Sequence, residues 1–135
     1  MNVRTPCINS HLELADMFIL ASPESVVKKG EALLQPIVAA HNGQIAGFEA
    51  LLRQKMPDNS LKDPSELLRE TAEHHQGHDL FMHMLEHACK AVHRGRRLGL
   101  NDDFFISINA CAEVLEHKAI AEETLDVLGM YGVDP

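Results

Sequence analysis

The chain has 135 residues, of which 45% are hydrophobic and 24% charged, and its formal net charge is −8 with histidine neutral. These proportions are those of a globular domain and exclude a disordered tail or a collagen-like rod. An acidic surface repels a phosphate backbone, so we expect no nucleic-acid partner. No apolar run approaches the roughly 18 residues that span a bilayer, and the N-terminus lacks the pattern of a secretory signal. We therefore expect a cytoplasmic protein that does not enter a membrane.

The cysteines and the first residues give the context of the domain. The chain has three cysteines, Cys7, Cys89 and Cys111. An odd number without paired spacing is typical of reduced thiols in a reducing compartment. Residues 1–30 are interpreted as a leader or connector, within which a capping box at Ser10 predicts a short helix. Residues 31–135 then form one domain.

Two strands are predicted next. Leu33–Ala40 and Ile45–Leu52 are apolar runs, and the segment between them contains Asn42-Gly43. Asn-Gly between two apolar runs is the signal of a tight hairpin turn in which both residues have a positive φ. This part of the chain therefore predicts an antiparallel hairpin.

Two helices are predicted after the hairpin. Asp63 is a favourable N-cap and Pro64 fits the first helical position, so the first helix begins there and ends near residues 75–77. The second helix extends over about 79–93 and stops at Gly95. At about 100° per residue, its apolar side chains fall on one face. This face consists of Phe81, Met84, Leu85, Ala88, Cys89 and Val92.

One more strand and one more helix complete the order. Phe104–Asn109 is an almost continuous apolar run, which is typical of a strand covered on both faces in a parallel sheet. The last helix is predicted over Ala119–Met130, with Ile120, Leu125 and Leu128 on its buried side. The succession of hairpin, helices, strand and helix is an α/β pattern.

The histidines offer a possible zinc site. His83 and His87 lie in a H-x-x-E-H segment, the signature of inverted zinc proteases. No clear third ligand follows, and both residues fall opposite the apolar face, so we favour solvent-facing side chains over a zinc hydrolase. Another group, His74, His75 and His78, is interpreted in the same way, as an exposed helix junction where a metal could bind only adventitiously.

Two polar residues interrupt or end the apolar strands. Glu49 lies within the second strand, and Asn109 ends the third. A carboxylate in an apolar strand must be paired, bind a metal or lie at an exposed rim. Carboxylate and amide oxygens are hard ligands that suit Mg²⁺ or Mn²⁺. The residues alone leave this open, and an edge-strand glutamate in water, with Arg53 as a surface charge, is the simpler interpretation.

Four motifs follow one another in the chain. They are Gln35-Pro36-Ile37-Val38, Asn42-Gly43 with Gly47-Phe48-Glu49-Ala50-Leu51-Leu52-Arg53, Asp63-Pro64-Ser65-Glu66-Leu67-Leu68, and Phe105-Ile106-Ser107-Ile108-Asn109-Ala110-Cys111-Ala112. The tripeptide Glu49-Ala50-Leu51 alone is unspecific, because Glu31-Ala32-Leu33 is a second copy of it, whereas the spacing from Pro36 to Gly47 with a turn between them is specific. Together the four motifs resemble an EAL domain, a family that hydrolyses the bacterial second messenger cyclic di-GMP.

The resemblance implies a fold and a set of site residues. The fold is a modified TIM barrel with an antiparallel first hairpin followed by βα units, of which this chain is the N-terminal part. In the family, the matching residues Glu49 and Asn109 ligate the catalytic Mg²⁺ or Mn²⁺. The residues Gln35, Leu51 and Arg53 match positions that contact the ligand.

The length limits what we expect of this chain alone. A closed TIM barrel needs about 200 residues or more, and the resemblance implies that further acidic ligands follow in later strands. We therefore expect an incomplete, truncated barrel that binds metal only in a complete domain, binds cyclic di-GMP weakly or not at all, and does not hydrolyse it. An open sheet edge recruits other strands, so self-association is expected. The alternative is a non-catalytic EAL-derived module for protein interaction or regulation.

Overall fold

The computed structural model describes Val27, residues 30–100 and residues 103–135. The helix predicted at Ser10 lies outside the described residues, and the boundary of the leader at residue 30 stays a prediction. The described chain forms three strands and four α-helices: β1 (Glu31–Val38), β2 (Ile45–Arg53), α1 (Pro64–Glu73), α2 (Gly77–Arg97), β3 (Phe105–Ile108), α3 (Ala112–Glu116) and α4 (Ile120–Tyr131). In this part of the chain, no helix has the length and apolar character needed to cross a membrane.

The antiparallel hairpin of β1 and β2 is confirmed, but its turn differs from the prediction. Gly43 has a φ of 68°, whereas Asn42 does not have a positive φ. The amides of Gly43 and Asn42 both donate to the Ala39 carbonyl, and Ala39 N donates to Gln44 O at 2.8 Å. The loop is therefore longer than the two-residue form, and only the glycine that closes it needs the left-handed conformation. Asn42 contributes by its side chain, which accepts a hydrogen bond from Gln44 N at 3.0 Å.

The sheet has the order β1-β2-β3, and β3 lies parallel to β2. The register begins at Gly47, which pairs with Phe105. A Cβ atom at position 47 would lie 2.7 Å from the Phe105 carbonyl oxygen and 2.9 Å from its ring. Glycine is therefore required here so that the two strands can approach each other.

The helices cover one face of this sheet and form the core there. Ala32 and Ala50 pack with Leu80 and Met84 of α2 in one buried cluster. A second cluster joins Phe48, Val92 and Phe104, and the rings of Phe48 and Phe104 meet edge to face with centroids 6.2 Å apart. The predicted cover on both faces of β3 is wrong for the described chain. Phe105, on the other face, is 50% exposed, because the helices of the described chain pack on a single side.

The start of α1 is as predicted. Asp63 is the N-cap, and its carboxylate accepts hydrogen bonds from the backbone and the hydroxyl of Ser65 at 2.8 and 2.7 Å. Pro64 occupies the first position, where its missing N–H costs nothing. The helix buries Leu67 and Thr71 and ends at Glu73, shortly before the predicted end.

α2 is longer than predicted at both ends. Of its predicted apolar face, every residue except the half-buried Phe81 is buried. Gly95 does not stop the helix. It is buried within the last turns, where an added Cβ would meet Leu100 and Phe104 at 2.9 Å. Close packing against the chain before β3, rather than helix termination, therefore accounts for this glycine.

The C-terminal helices depart most from the sequence prediction. α3 was not predicted, and α4 contains no buried residue, so the buried side expected for it is wrong. Leu125 is 56% exposed. α4 lies against α2, where the His93 ring and the Tyr131 carbonyl form a hydrogen bond. Gly132 ends the helix in the left-handed conformation, with a φ of 58°.

Candidate functional site

Glu49 and Asn109 meet at the edge of the sheet where β2 and β3 end. The Asn109 side-chain amide donates a hydrogen bond to Glu49 Oε1 at 3.1 Å. The parallel register explains this contact, because Glu49 pairs with Ser107 and Asn109 follows two residues later. Glu49 is half-buried and Asn109 is exposed, so both side chains remain accessible to a ligand.

The other residues predicted for the site lie on the same face of the sheet as Glu49. Gln35 is its direct partner across the antiparallel pair, and cross-strand partners share a face. Leu51 and Arg53 follow Glu49 at two-residue intervals along β2, which also places them on that face. The register thus brings residues of β1 and β2 together with Asn109 after β3, on the sheet face opposite the one that carries the buried Phe48 and Ala50.

Arg53 is held by its own strand. Its Nη1 donates to the Leu52 carbonyl at 2.7 Å. This bond uses one of the five N–H donors of a guanidinium, and the side chain is half-buried. Binding of a phosphate by Arg53 therefore requires the guanidinium to turn away from this carbonyl or to use its other donors.

The Glu49–Asn109 pair fits a hard divalent cation. A carboxylate and an amide oxygen are donors that Mg²⁺ and Mn²⁺ accept. Asn109 now turns its amide nitrogen to Glu49, and a half-turn of the amide exchanges this nitrogen for the oxygen. Within the described residues, Glu49 belongs to no group of three His, Cys, Asp or Glu side chains that could hold an ion. The described chain therefore supplies two protein ligands at this position.

A cavity of about 330 Å³ adjoins the site, between the strand ends and α1, α2 and α3. Arg53 and Asn109 are among its lining residues, but most of the lining is apolar, including Leu68, Leu80 and Met84. An apolar lining does not compensate the desolvation of phosphates. A phosphate is therefore better suited to the part of the cavity lining formed by Arg53 and Asn109 than to its apolar wall.

The predicted exposure of His83 and His87 is wrong, since both are half-buried. Gly30, which precedes β1, lies on this side of α2, and its carbonyl oxygen is 3.0 Å from His83 Nε2. The two rings lie with centroids 4.4 Å apart and their planes tilted by 52°. The pKa of His87 is lowered mainly by burial and, to a smaller extent, by the charge of the neighbouring His83. In the described chain no third ligand joins this pair, which does not favour a zinc hydrolase.

The sequence analysis missed a cluster formed by His78, His117 and Glu123. His78 was interpreted as part of an exposed junction, but it is half-buried and its Nε2 lies 2.5 Å from Glu123 Oε2. This hydrogen bond raises the pKa of His78. The three residues come from different elements with no motif spacing, so only the folded arrangement identifies them.

The comparison with protein families agrees with this geometry. The model of the EAL domain matches residues 26–135. The chain belongs to the EAL domain family. Both the family and the α/β, EAL-type fold predicted from the sequence are therefore confirmed. No curated protein sequence matches the chain.

Solved EAL structures are similar to the chain over most of its length. The PaMucR phosphodiesterase in complex with c-di-GMP is 26% identical with a TM-score of 0.70, and the match covers 79% of this chain and 43% of that one. The EAL enzyme Bd1971 in its cAMP-bound form is also 26% identical, with a TM-score of 0.69 and coverage of 78% and 31%. A form of Bd1971 with cAMP and cyclic di-GMP gives the same identity and TM-score, with coverage of 78% and 30%. The chain thus spans less than half the length of these EAL proteins.

Proposed function

We propose that this EAL chain supplies part of the metal and substrate site of a phosphodiesterase that hydrolyses cyclic di-GMP to linear pGpG. The observation that carries the proposal is the contact between Asn109 and Glu49 at 3.1 Å, on the sheet face that also carries Gln35 and Arg53. The similarity to a phosphodiesterase in complex with c-di-GMP supports the same substrate.

Each side chain has a definite role in this proposal. Glu49 and Asn109 would hold Mg²⁺ or Mn²⁺, which would supply Lewis-acid chemistry at a phosphoryl oxygen. Arg53 leaves the Leu52 carbonyl and pairs with a phosphate of the ligand, since a guanidinium matches two phosphate oxygens at once. Gln35 and Leu51 contact the ligand beside these charged groups. Gln35 does so through its side-chain amide, and Leu51 through its apolar side chain.

We further propose that the 135-residue chain does not hydrolyse cyclic di-GMP by itself and binds it weakly. A two-metal site clamps both the attacking and the leaving oxygen, whereas the described residues supply one carboxylate and one amide at the strand ends. Formation of pGpG by the purified chain with Mg²⁺ or Mn²⁺, above the rate of a Glu49→Gln variant, would contradict this part of the proposal.

Metal binding tests the site itself. Mn²⁺ is titrated into the purified chain and followed by electron paramagnetic resonance, which counts free Mn²⁺. With two protein ligands the isolated wild-type chain should bind Mn²⁺ only weakly, and Glu49→Gln and Asn109→Ala should each weaken that binding at least about tenfold further, since each removes one of the two ligands. Glu86→Gln is the matched control, because it removes the charge of an exposed carboxylate on α2, and this variant should bind Mn²⁺ like the wild type. Equal Mn²⁺ binding by all four proteins would refute the assignment.

Ligand binding tests the role of Arg53. Cyclic di-GMP is titrated by calorimetry in the presence of Mn²⁺, and Arg53→Ala should remove whatever binding the wild type shows. Arg69→Ala is the control, because Arg69 is an exposed arginine of α1 that lies 3.9 Å from Glu73 and away from the strand ends. If Arg53→Ala binds as the wild type does, or if both arginine variants lose binding equally, the assignment of Arg53 fails.

A second candidate function, a non-catalytic interaction module, is favoured by the exposed side of β3. Within the described sheet β3 pairs with β2 alone, so its other edge is unpaired. The Phe105 side chain of the same strand is 50% exposed. An unpaired strand edge is a template for another strand. We propose that a second copy of the chain pairs there. Light scattering over a concentration series should show dimers that Phe105→Thr weakens, while Leu115→Thr, at a position 71% exposed on α3, does not. A monomer at all concentrations would exclude this mode.

A further inference from the structure

Three side chains converge where the start of α2, the segment after α3, and α4 meet. They are His78, His117 and Glu123, and one ligand atom of each lies within 4.8 Å of the other two. His78 Nε2 is 2.5 Å and His117 Nδ1 is 3.7 Å from the same carboxylate oxygen, Glu123 Oε2. The two imidazole rings lie with centroids 4.3 Å apart. None of these residues belongs to the sheet or to the Glu49–Asn109 site.

These distances are close to those of a tetrahedral metal site. Zinc binds imidazole nitrogen and carboxylate oxygen at about 2.0–2.2 Å, which places tetrahedral ligand atoms about 3.3–3.6 Å apart. The His117–Glu123 separation of 3.7 Å is just above this range. The His78–Glu123 hydrogen bond has to lengthen by about 1 Å, which a small rotation of the Glu123 side chain provides, since that side chain is 36% exposed.

We propose that His78, His117 and Glu123 bind one Zn²⁺, with water in the fourth position. Two imidazoles and one carboxylate are a donor set that zinc accepts and that Mg²⁺ does not prefer. The neighbouring Asp79 supports the assignment, because its carboxylate oxygen lies 3.7 Å from Nδ1 of His78, the ring nitrogen that would not bind the metal. A carboxylate at that nitrogen is the usual outer partner of a zinc-bound histidine.

The consequence of this site is structural. α4 contains no buried residue, so apolar burial contributes little to its attachment to α2. A zinc ion that joins Glu123 of α4 to His78 at the start of α2 would fix the two helices to each other, and His117 would add the connection between α3 and α4. Zinc should therefore raise the melting temperature of the chain by binding the folded state.

The experiment titrates Zn²⁺ alone into the purified chain, in competition with a zinc indicator of micromolar affinity. The wild type should bind one Zn²⁺ per chain, and Co²⁺ in its place should give the strong visible bands of tetrahedral coordination. His117→Gln and Glu123→Gln should each weaken binding at least about tenfold and remove the rise in melting temperature. Both positions are solvent-accessible, and circular dichroism checks that the variants fold.

Matched controls separate this site from the others. Glu122→Gln changes the exposed neighbour of Glu123, and His41→Gln changes an exposed histidine in the hairpin turn. Both variants should bind zinc like the wild type. The zinc site is overturned if the wild type shows no stoichiometric zinc, if His117→Gln and Glu123→Gln leave binding unchanged, or if only a double His83→Gln, His87→Gln variant loses it.

Discussion

Replacing Gly47 by alanine should destabilise the fold, because this glycine sets the approach of β2 and β3. The added methyl would lie 2.7 Å from the Phe105 carbonyl oxygen and 2.9 Å from two ring carbons of the same residue. The half-exposed ring can rotate away from the methyl. The carbonyl belongs to the strand backbone, and it can move only if the pairing of Gly47 with Phe105 opens.

The size of the effect follows from this contact. Overpacking of a close-packed site costs about 1–3 kcal/mol, and a clash with backbone cannot be relieved by a change of rotamer. We expect a loss of about 2 kcal/mol in the free energy of unfolding. For a domain of this size, about 4 °C in melting temperature corresponds to 1 kcal/mol, so the melting temperature should fall by about 8 °C.

Thermal and urea melts followed by circular dichroism measure this change. Gly129→Ala is the matched control, because the same methyl is added in an exposed part of α4 with no atom within 4 Å. Alanine there should stabilise the helix by up to about 1 kcal/mol. A Gly47→Ala protein that melts at or above the wild-type temperature would refute the reasoning about the β2–β3 contact.

Three further predictions follow from burial. Leu67→Ala should cost about 2–5 kcal/mol in chemical denaturation because Leu67 is 1% exposed, whereas Leu68→Ala, at the adjacent 53% exposed position, should stay within about 0.5 kcal/mol. Burial lowers the pKa of His87, which faces His83, Glu86 and Lys90. The unfolded chain therefore binds a proton at His87 more readily than the folded chain does. The free energy of unfolding should fall as the pH drops below about 6.5. Denaturant melts at several pH values should show a smaller fall for His87→Gln, and an equal fall would disprove the assignment. Burial also raises the pKa of the Cys89 thiol, so peptide mapping after alkylation of the native protein should find Cys111 modified and Cys89 protected.

The elements with strong local signals were predictable from the sequence. Asp63 and Pro64 define the start of α1 through their own backbone and side-chain chemistry, which needs no distant partner. The hairpin was predicted for the same reason, although the length of its turn was not. Turn length depends on where the strand pairing stops, and the register shift between Ile37 and Val38 is not visible in the residue types.

The elements whose exposure depends on distant segments were predicted less well. The apolar face of α2 was identified correctly by its period, but His83 is covered by Gly30, which lies far away in the sequence. The burial of β3 on one face rather than two depends on how many layers pack against the sheet. The number of layers cannot be predicted from an apolar run such as Phe104–Asn109. α4 has the period of a buried helix, yet its apolar residues find little to pack against in the described chain.

The candidate site shows a similar division. The residue types at Glu49 and Asn109 indicated hard-ligand chemistry, and the family resemblance indicated which residues act together. Their contact at 3.1 Å could not be derived from either, since it requires the parallel register of β2 and β3. The sequence indicated only His78, within a histidine group at a helix junction, and gave no sign of its partners His117 and Glu123, because the three residues lie on separate elements and meet only after α4 packs on α2.

The alternation along β2 connects the fold to the site. Phe48 and Ala50 face the helices and are buried, while Glu49 between them faces the open side. Because side chains alternate between faces, a slip of one residue would carry the Glu49 carboxylate into the apolar core and expose Phe48. The burial of Phe48 against Phe104 and the close approach at Gly47 oppose such a slip. The residues that stabilise the sheet therefore also hold Glu49 within reach of Asn109, so a substitution that shifts the register should remove metal binding even though it touches neither ligand.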